Sequence, residues 1–237
     1  MIKNFLFDMD GTLIDCKAEE FIPVYVDALK KRFAGEAECE KIIHTVIKGA
    51  EAMVRNDGSR TNRETFMLYA ASVLEYPVDK LEREMTDFYE TDYAAVKKVI
   101  KSKPEMIKAA DVLRRKGYKL IVTTNPLFPL AALRHRLEWG GQHLSDFDFI
   151  TSYETSTFAK PDPRYYDEVI ARLGLDRSQT VIVGNDFKED VCTGKRAGML
   201  AYYLTDSPIP ADDETYKADF EGNSADFLAF AESLPEA

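Results

Sequence analysis

Phe5-Leu6-Phe7-Asp8-Met9-Asp10-Gly11-Thr12-Leu13 is an apolar run that delivers two carboxylates, one residue apart, to its carboxyl end. With Ile2 ahead of it, the stretch suits a strand covered on both faces of a parallel sheet, and Gly11 breaks it. Ligands of open α/β sheets bind in the crevice beyond the carboxyl ends of the strands, so Asp8 and Asp10 stand at the mouth of such a crevice. Two like charges this close repel, and a hard divalent cation with oxygen ligands is the usual remedy. A plain Asp-Gly turn after a strand accounts for this segment equally well, so the rest of the chain decides.

After Leu13-Ile14-Asp15 the pattern turns helical and stays so for most of the next stretch. Glu20 to Phe33, Cys39 to Met53, Thr65 to Leu74 and Val78 to Tyr89 each place apolar residues at helical spacing, with Thr61 or Asn62 as a cap for the third. A crossover between neighbouring parallel strands rarely needs more than one helix, which predicts a helical insertion over residues 16–99 covering the crevice. From Pro104 onward, helices alternate with apolar strands at 118–123, 147–150, 180–184 and 200–204. A helix spans Phe187 to Ala197, and a last one, Ala225 to Leu234, takes Ser224 as its N-cap. The fold class is therefore α/β, a doubly wound, Rossmann-like parallel sheet formed by residues 1–15 and 100–237, with an inserted α-helical cap domain.

Composition narrows the function classes. The 31 Lys and Arg against 41 Asp and Glu give a formal charge of −10, which disfavours nucleic acid and anionic membranes as partners. Cys16, Cys39 and Cys192 are isolated thiols without metal-ligand spacing, and His44, His135 and His143 show none either. The first residues do not read as a signal peptide and no run approaches a membrane span, so the cytoplasm is the expected location.

Three further polar features fall just after strands. Thr124-Asn125 offers a hydroxyl and backbone N–H groups suited to a phosphoryl oxygen. Lys160-Pro161 supplies an ammonium group that would neutralise crowded carboxylates or phosphate. Gly184-Asn185-Asp186 places a carboxylate after a buried strand, with Asp190 one helical turn further on. The order carboxylate pair, hydroxyl, lysine, carboxylate pair is hard to attribute to turns.

With these four motifs the sequence resembles the haloacid dehalogenase-like hydrolase superfamily, over residues 1–15 and about 100–205. The resemblance implies that Asp8 is a nucleophile forming an aspartyl-phosphate and that Asp10 is the general acid and base. It implies Mg²⁺ as cofactor, held by an Asp8 carboxylate oxygen, the Asp10 backbone carbonyl and Asp186, with Asp190 positioning Lys160 or a metal-bound water. Thr124, preferred over the adjacent Thr123, would balance charge on the phosphoryl oxygens together with Asn125 and Lys160. Dehalogenases of the superfamily lack the second aspartate, so Asp10 favours phosphate chemistry. The expected activity is hydrolysis of a small phosphorylated metabolite by a monomer or homodimer; a sugar phosphomutase and a non-catalytic binding module are the alternatives. Arg55, Asn56, Arg60 and Arg63 flank a glycine-containing turn in the cap, and Arg60 is the candidate substrate contact among them. Phe21, Tyr25, Phe66 and Tyr69 read as the cap's own core.

Overall fold

The computed structural model describes residues 1–35, 39–211 and 215–237. Strand β1 (Asn4–Phe7) is buried along its length. Its side chains alternate between the two faces of the sheet. Phe5 and Phe7 join the cluster that contains Tyr118 and Phe227, while Leu6 packs with Ile121, Ile182, Tyr165 and Tyr166 on the other side. A strand with apolar demand on both faces takes a central place, and β1 does.

In chain order there follow β2 (Ile14–Asp15), α1 (Ala18–Arg32), α2 (Cys39–Val54), α3 (Asn62–Leu74) and α4 (Val78–Glu90). A 3₁₀ stretch, Asp92–Val99, leads to β3 (Lys101–Ser102), α5 (Pro104–Arg115), β4 (Lys119–Val122), α6 (Leu130–Trp139) and β5 (Phe149–Ile150). The chain closes with α7 (Arg164–Leu173), β6 (Thr180–Gly184), α8 (Thr193–Arg196), β7 (Leu200–Leu204), β8 (Phe220–Gly222) and α9 (Ser224–Ser233). The six-stranded sheet has the order β5-β4-β1-β6-β7-β8, and all its pairings are parallel. β1 therefore lies between β4 and β6, and the strand order reverses beside it, which opens the crevice at its carboxyl end.

Three local readings are corrected. The strand at 147–150 shrinks to Phe149–Ile150, because the Leu120 N–H donates to the Asp148 carboxylate at 2.8 Å where a longer ladder would run. The helix after β6 opens as a π-helical turn over Phe187–Cys192 and becomes α-helical only at Thr193, whose hydroxyl donates to the Lys188 carbonyl. Asn223, not Ser224, caps α9: its side chain accepts from Ala225 and Asp226, and Asp226 accepts from the Asn223 N–H. Ser224 is the first helical residue and donates to Asp206 instead. Strands β2, β3 and β8 are too short and polar to carry a pattern. Thr61 does cap α3, in a reciprocal capping box with Glu64.

The four helices α1 to α4 form a cap over the sheet's carboxyl end. Its aromatic core is shared with the sheet domain: Phe21 and Tyr25 each lie 5.7 Å from Phe128, and Tyr93 lies 5.8 Å from Trp139. The α2–α3 loop docks on the core, with the Asn62 side chain donating to the Pro126 and Phe158 carbonyls. Antiparallel pairing of β2 with β3 ties the chain leaving for the cap to the chain returning from it. Beside that pair Lys103 donates to the Gly11 carbonyl at 2.8 Å.

Candidate active site

Asp8 follows β1 directly, and its N–H donates to the Val183 carbonyl of β6 at 2.9 Å, which fixes its backbone between two strands. Its carboxylate accepts from Lys160 at 3.0 Å, and the same ammonium donates to Asp190 at 2.6 Å. Lys160 is 1% exposed, so this is a buried chain of carboxylate, ammonium and carboxylate. Burial pushes the Asp8 and Asp190 carboxyls upward, and Lys160 opposes it in both. Burial works against the Lys160 ammonium, but the two carboxylates outweigh it and hold its pKa well above the ordinary lysine value.

Gly184 makes the approach possible. A Cβ there would overlap the Asp190 carboxylate, which folds back so that its second oxygen accepts from the Asp186 N–H at 3.0 Å. Asp186 is partly exposed and caps the π-helical turn, accepting from the Lys188 and Glu189 N–H groups. Glu189, missed in the sequence, is raised by burial and feels both Asp186 and Asp8. Asp8, Asp190 and Glu189 thus interact with one ammonium while Asp186 acts on Glu189, and the surplus negative charge on hard oxygen ligands fits a divalent cation. No three His, Cys, Asp or Glu side chains among the described residues converge as a ligand cage. Asp8 and Asp186 would then need backbone carbonyl and water oxygens to complete a coordination shell, as Mg²⁺ commonly does.

Thr123 and Thr124 separate cleanly. The Thr123 hydroxyl donates back to the Phe7 carbonyl at 3.3 Å and is fully buried in the sheet. Thr124 is also buried, but its carbonyl is the group engaged by the core, accepting from Thr151 and Tyr165. Asn125 donates to the Lys160 carbonyl and to Glu189, while its own amide oxygen is buried without a partner among the described residues. Asn185 locks the first motif: it accepts from the Thr12 hydroxyl and donates to the Ser207 carbonyl. Gly11, at φ +73°, leaves room for that amide.

Asp10 turns away from this network, toward the cap. It forms an ion pair with Arg136 of α6, a residue the sequence did not single out. Arg136 is 2% exposed, lies 4.7 Å over the Phe21 ring and 5.5 Å over Phe128, and keeps its charge because the Asp10 carboxylate offsets its burial. Cys16 adjoins the pair, and burial pushes its thiol up to about 12, with Asp10 adding to the rise. Asp10 and Arg136 stand in the wall of a cavity of about 380 Å³ between cap and core. Arg60 is not brought to this cluster. It is exposed, its carbonyl accepts from Asn56, and it lines a surface hollow with Arg63 and Glu82. Arg63 pairs with Glu82, and Arg55 pairs with Glu51.

Fold and site together define a doubly wound α/β enzyme with a helical cap and a carboxylate-rich crevice at the central strand. The chain belongs to the haloacid dehalogenase-like hydrolases: the profile of that family matches residues 2–198. It is 29% identical over 231 residues to the phosphoglycolate phosphatase of Rhodobacter capsulatus, covering 95% of each chain. It is 26% identical over 197 residues to the pyrophosphatase PpaX of Bacillus velezensis, covering 83% of this chain and 80% of the relative. Among solved structures, a HAD phosphatase from Thermococcus onnurineus shares the fold with a TM-score of 0.61 at 21% identity, both chains covered in full. No helix among the described residues is long and apolar enough to cross a membrane.

Proposed function

We propose that the protein is a Mg²⁺-dependent phosphomonoester hydrolase that works through an aspartyl-phosphate on Asp8, with residues 16–99 acting as its cap. The observation that carries this reading is the division of labour between the two strand-end carboxylates. Asp8 is held against the buried Lys160, and Asp10 faces the cavity where a leaving group would lie. The Asp8 carboxylate attacks phosphorus and the bond to the leaving oxygen breaks. Asp10, in its protonated form and so released from the Arg136 ion pair, gives its proton to that oxygen, then takes one from the water that cleaves the acyl phosphate. Thr124, the Asn125 N–H and Lys160 bind the equatorial oxygens, and the bond of the Thr123 hydroxyl to the Phe7 carbonyl supports Thr124 over Thr123 in this role. Asp8, Asp186 and the Asp10 carbonyl would hold Mg²⁺, which supplies positive charge at the transferring phosphoryl group. Asp190 orients Lys160. The named relatives, phosphoglycolate phosphatase and pyrophosphatase, support phosphate as the group acted on.

The test is phosphate release from p-nitrophenyl phosphate with Mg²⁺, by the native chain and by Asp8→Asn. The native chain should turn over. Asp8→Asn should lose at least a thousandfold in kcat while keeping its circular dichroism spectrum. Near-native turnover in that variant would refute the covalent mechanism.

A further inference from the structure

The cavity beside Asp10 has an unusual wall for an enzyme of phosphorylated metabolites. Phe21, Val46, Met53, Phe66 and Phe128 supply much of it, from the cap on one side and the core on the other. Tyr25 and Tyr89 also face it, but their hydroxyls bond to each other at 2.9 Å and offer no handle to a ligand. Its charged groups, Asp10 and Arg136, are paired with one another, so they add no net charge to attract an ionic leaving group. The Arg136 Nε–H is buried without a partner among the described residues, which leaves a place for one acceptor at that end. A glycerol or sugar body in this space would lose its water and find few hydrogen-bond partners in return, chiefly the Tyr153 hydroxyl and the Arg136 Nε–H.

The position of Asp10 links the cavity to the reaction. A group that protonates the leaving oxygen must touch it, so the remainder of the leaving alcohol extends into whatever space adjoins Asp10. That space is apolar. An apolar cavity of roughly 150 Å³ admits benzene. At about 380 Å³ this one has room for a bicyclic ring or a chain of roughly eight carbons. At its rim Ile22 and Ile47 are 54% and 45% exposed and form an apolar threshold to the cavity.

Resting on the hydrolase reading above, we propose that the leaving group is an apolar alcohol or phenol, seated in the cavity between cap and core with its oxygen against Asp10. The test is kcat/KM for a series of n-alkyl phosphates from ethyl to octyl, with glycerol 1-phosphate as the polar reference and Mg²⁺ present. The ratio should rise about three- to fourfold per methylene. Octyl phosphate should then exceed glycerol 1-phosphate by more than a hundredfold. A flat series, or glycerol 1-phosphate above hexyl phosphate, overturns the inference while leaving the hydrolase reading intact. Should no ester be cleaved, the hydrolase reading fails and binding still decides. By calorimetry, octylphosphonate binding at least tenfold tighter than ethylphosphonate supports an apolar seat, and equal binding refutes it. Ala50→Phe, which pushes a ring into the cavity wall, should flatten the chain-length dependence; an unchanged slope counts against the seat.

Discussion

Replacing Lys160 by Met removes one ammonium and little volume, and leaves Asp8 and Asp190 facing each other across the gap it filled. Lys160 is 1% exposed and donates to the two carboxylates at 3.0 and 2.6 Å. Deleting one partner of such a buried pair costs about 3–5 kcal/mol, because the remaining charge has no compensation. At about 1.36 kcal/mol per pKa unit, that cost equals a further rise of about two to four units shared among the carboxyls left behind. Their pKa values in the folded chain are already raised by burial and climb higher. A carboxyl whose folded pKa exceeds its unfolded one favours the native state at low pH, and that advantage is lost as pH rises through the folded value. The deficit of Lys160→Met should therefore be below about 1 kcal/mol near pH 4.5, where both states hold the protons, and grow with pH to its full size only above pH 8, once pH passes the raised folded values. Urea unfolding followed by the fluorescence of the single Trp139 reads it directly. With a slope of about 3 kcal/mol per molar urea, the midpoint should fall by about 1–1.7 M where the deficit is full. A deficit equal at both pH values would mean that lost packing, not stranded charge, is the cost, and the buried network would lose its electrostatic account.

Asp186→Asn should raise the Mg²⁺ concentration for half-maximal activity at least tenfold while keeping the fold, since an amide oxygen still caps the Lys188 and Glu189 N–H groups; an unchanged metal titration removes Asp186 from the coordination shell. Gly184→Ala forces a Cβ into the Asp190 carboxylate, so calorimetry should show a loss of about 1–3 kcal/mol, with activity falling alongside it. Arg136→Met frees Asp10 and should lower kcat about 10- to 100-fold for esters of any leaving group, the scale of a misplaced catalytic group; an unchanged kcat would show that Arg136 only fills space.

Much of the fold is legible because β1, β4, β6 and β7 are apolar on both faces, and Gly or Asp stops β1 and β6 at their carboxyl ends. Asp8, Lys160 and Asp190 could be read as a set because each follows a strand in an order that turns alone would not repeat, and the structure does join them. Arg136 could not. In α6 it sits among Arg134, His135 and Glu138, where a charged residue ordinarily faces water, and only the cap's packing over α6 makes it a buried partner of Asp10. Glu189 was hidden for a related reason: acids in a first helical turn are ordinary, and the π-helical turn that gathers them around Lys160 has no sequence signature. Arg60 shows the reverse error. A basic residue beside a turn attracts attention, yet here the neighbouring amides Asn56 and Asn62 hold the loop while the guanidinium stays outside.

The pairing of β2 with β3 bears on how such a chain could be assembled and rebuilt. Asp15 and Lys101 are partners, so the two cut ends of the helical excursion lie side by side. A tight turn could bridge them with the sheet undisturbed, and a foreign module with neighbouring termini could be spliced in their place. The excursion is thus hinged to the sheet domain at one covalent seam, and a grafted module would have to supply its own apolar cover for Phe128 and Trp139, which the native helices now shield.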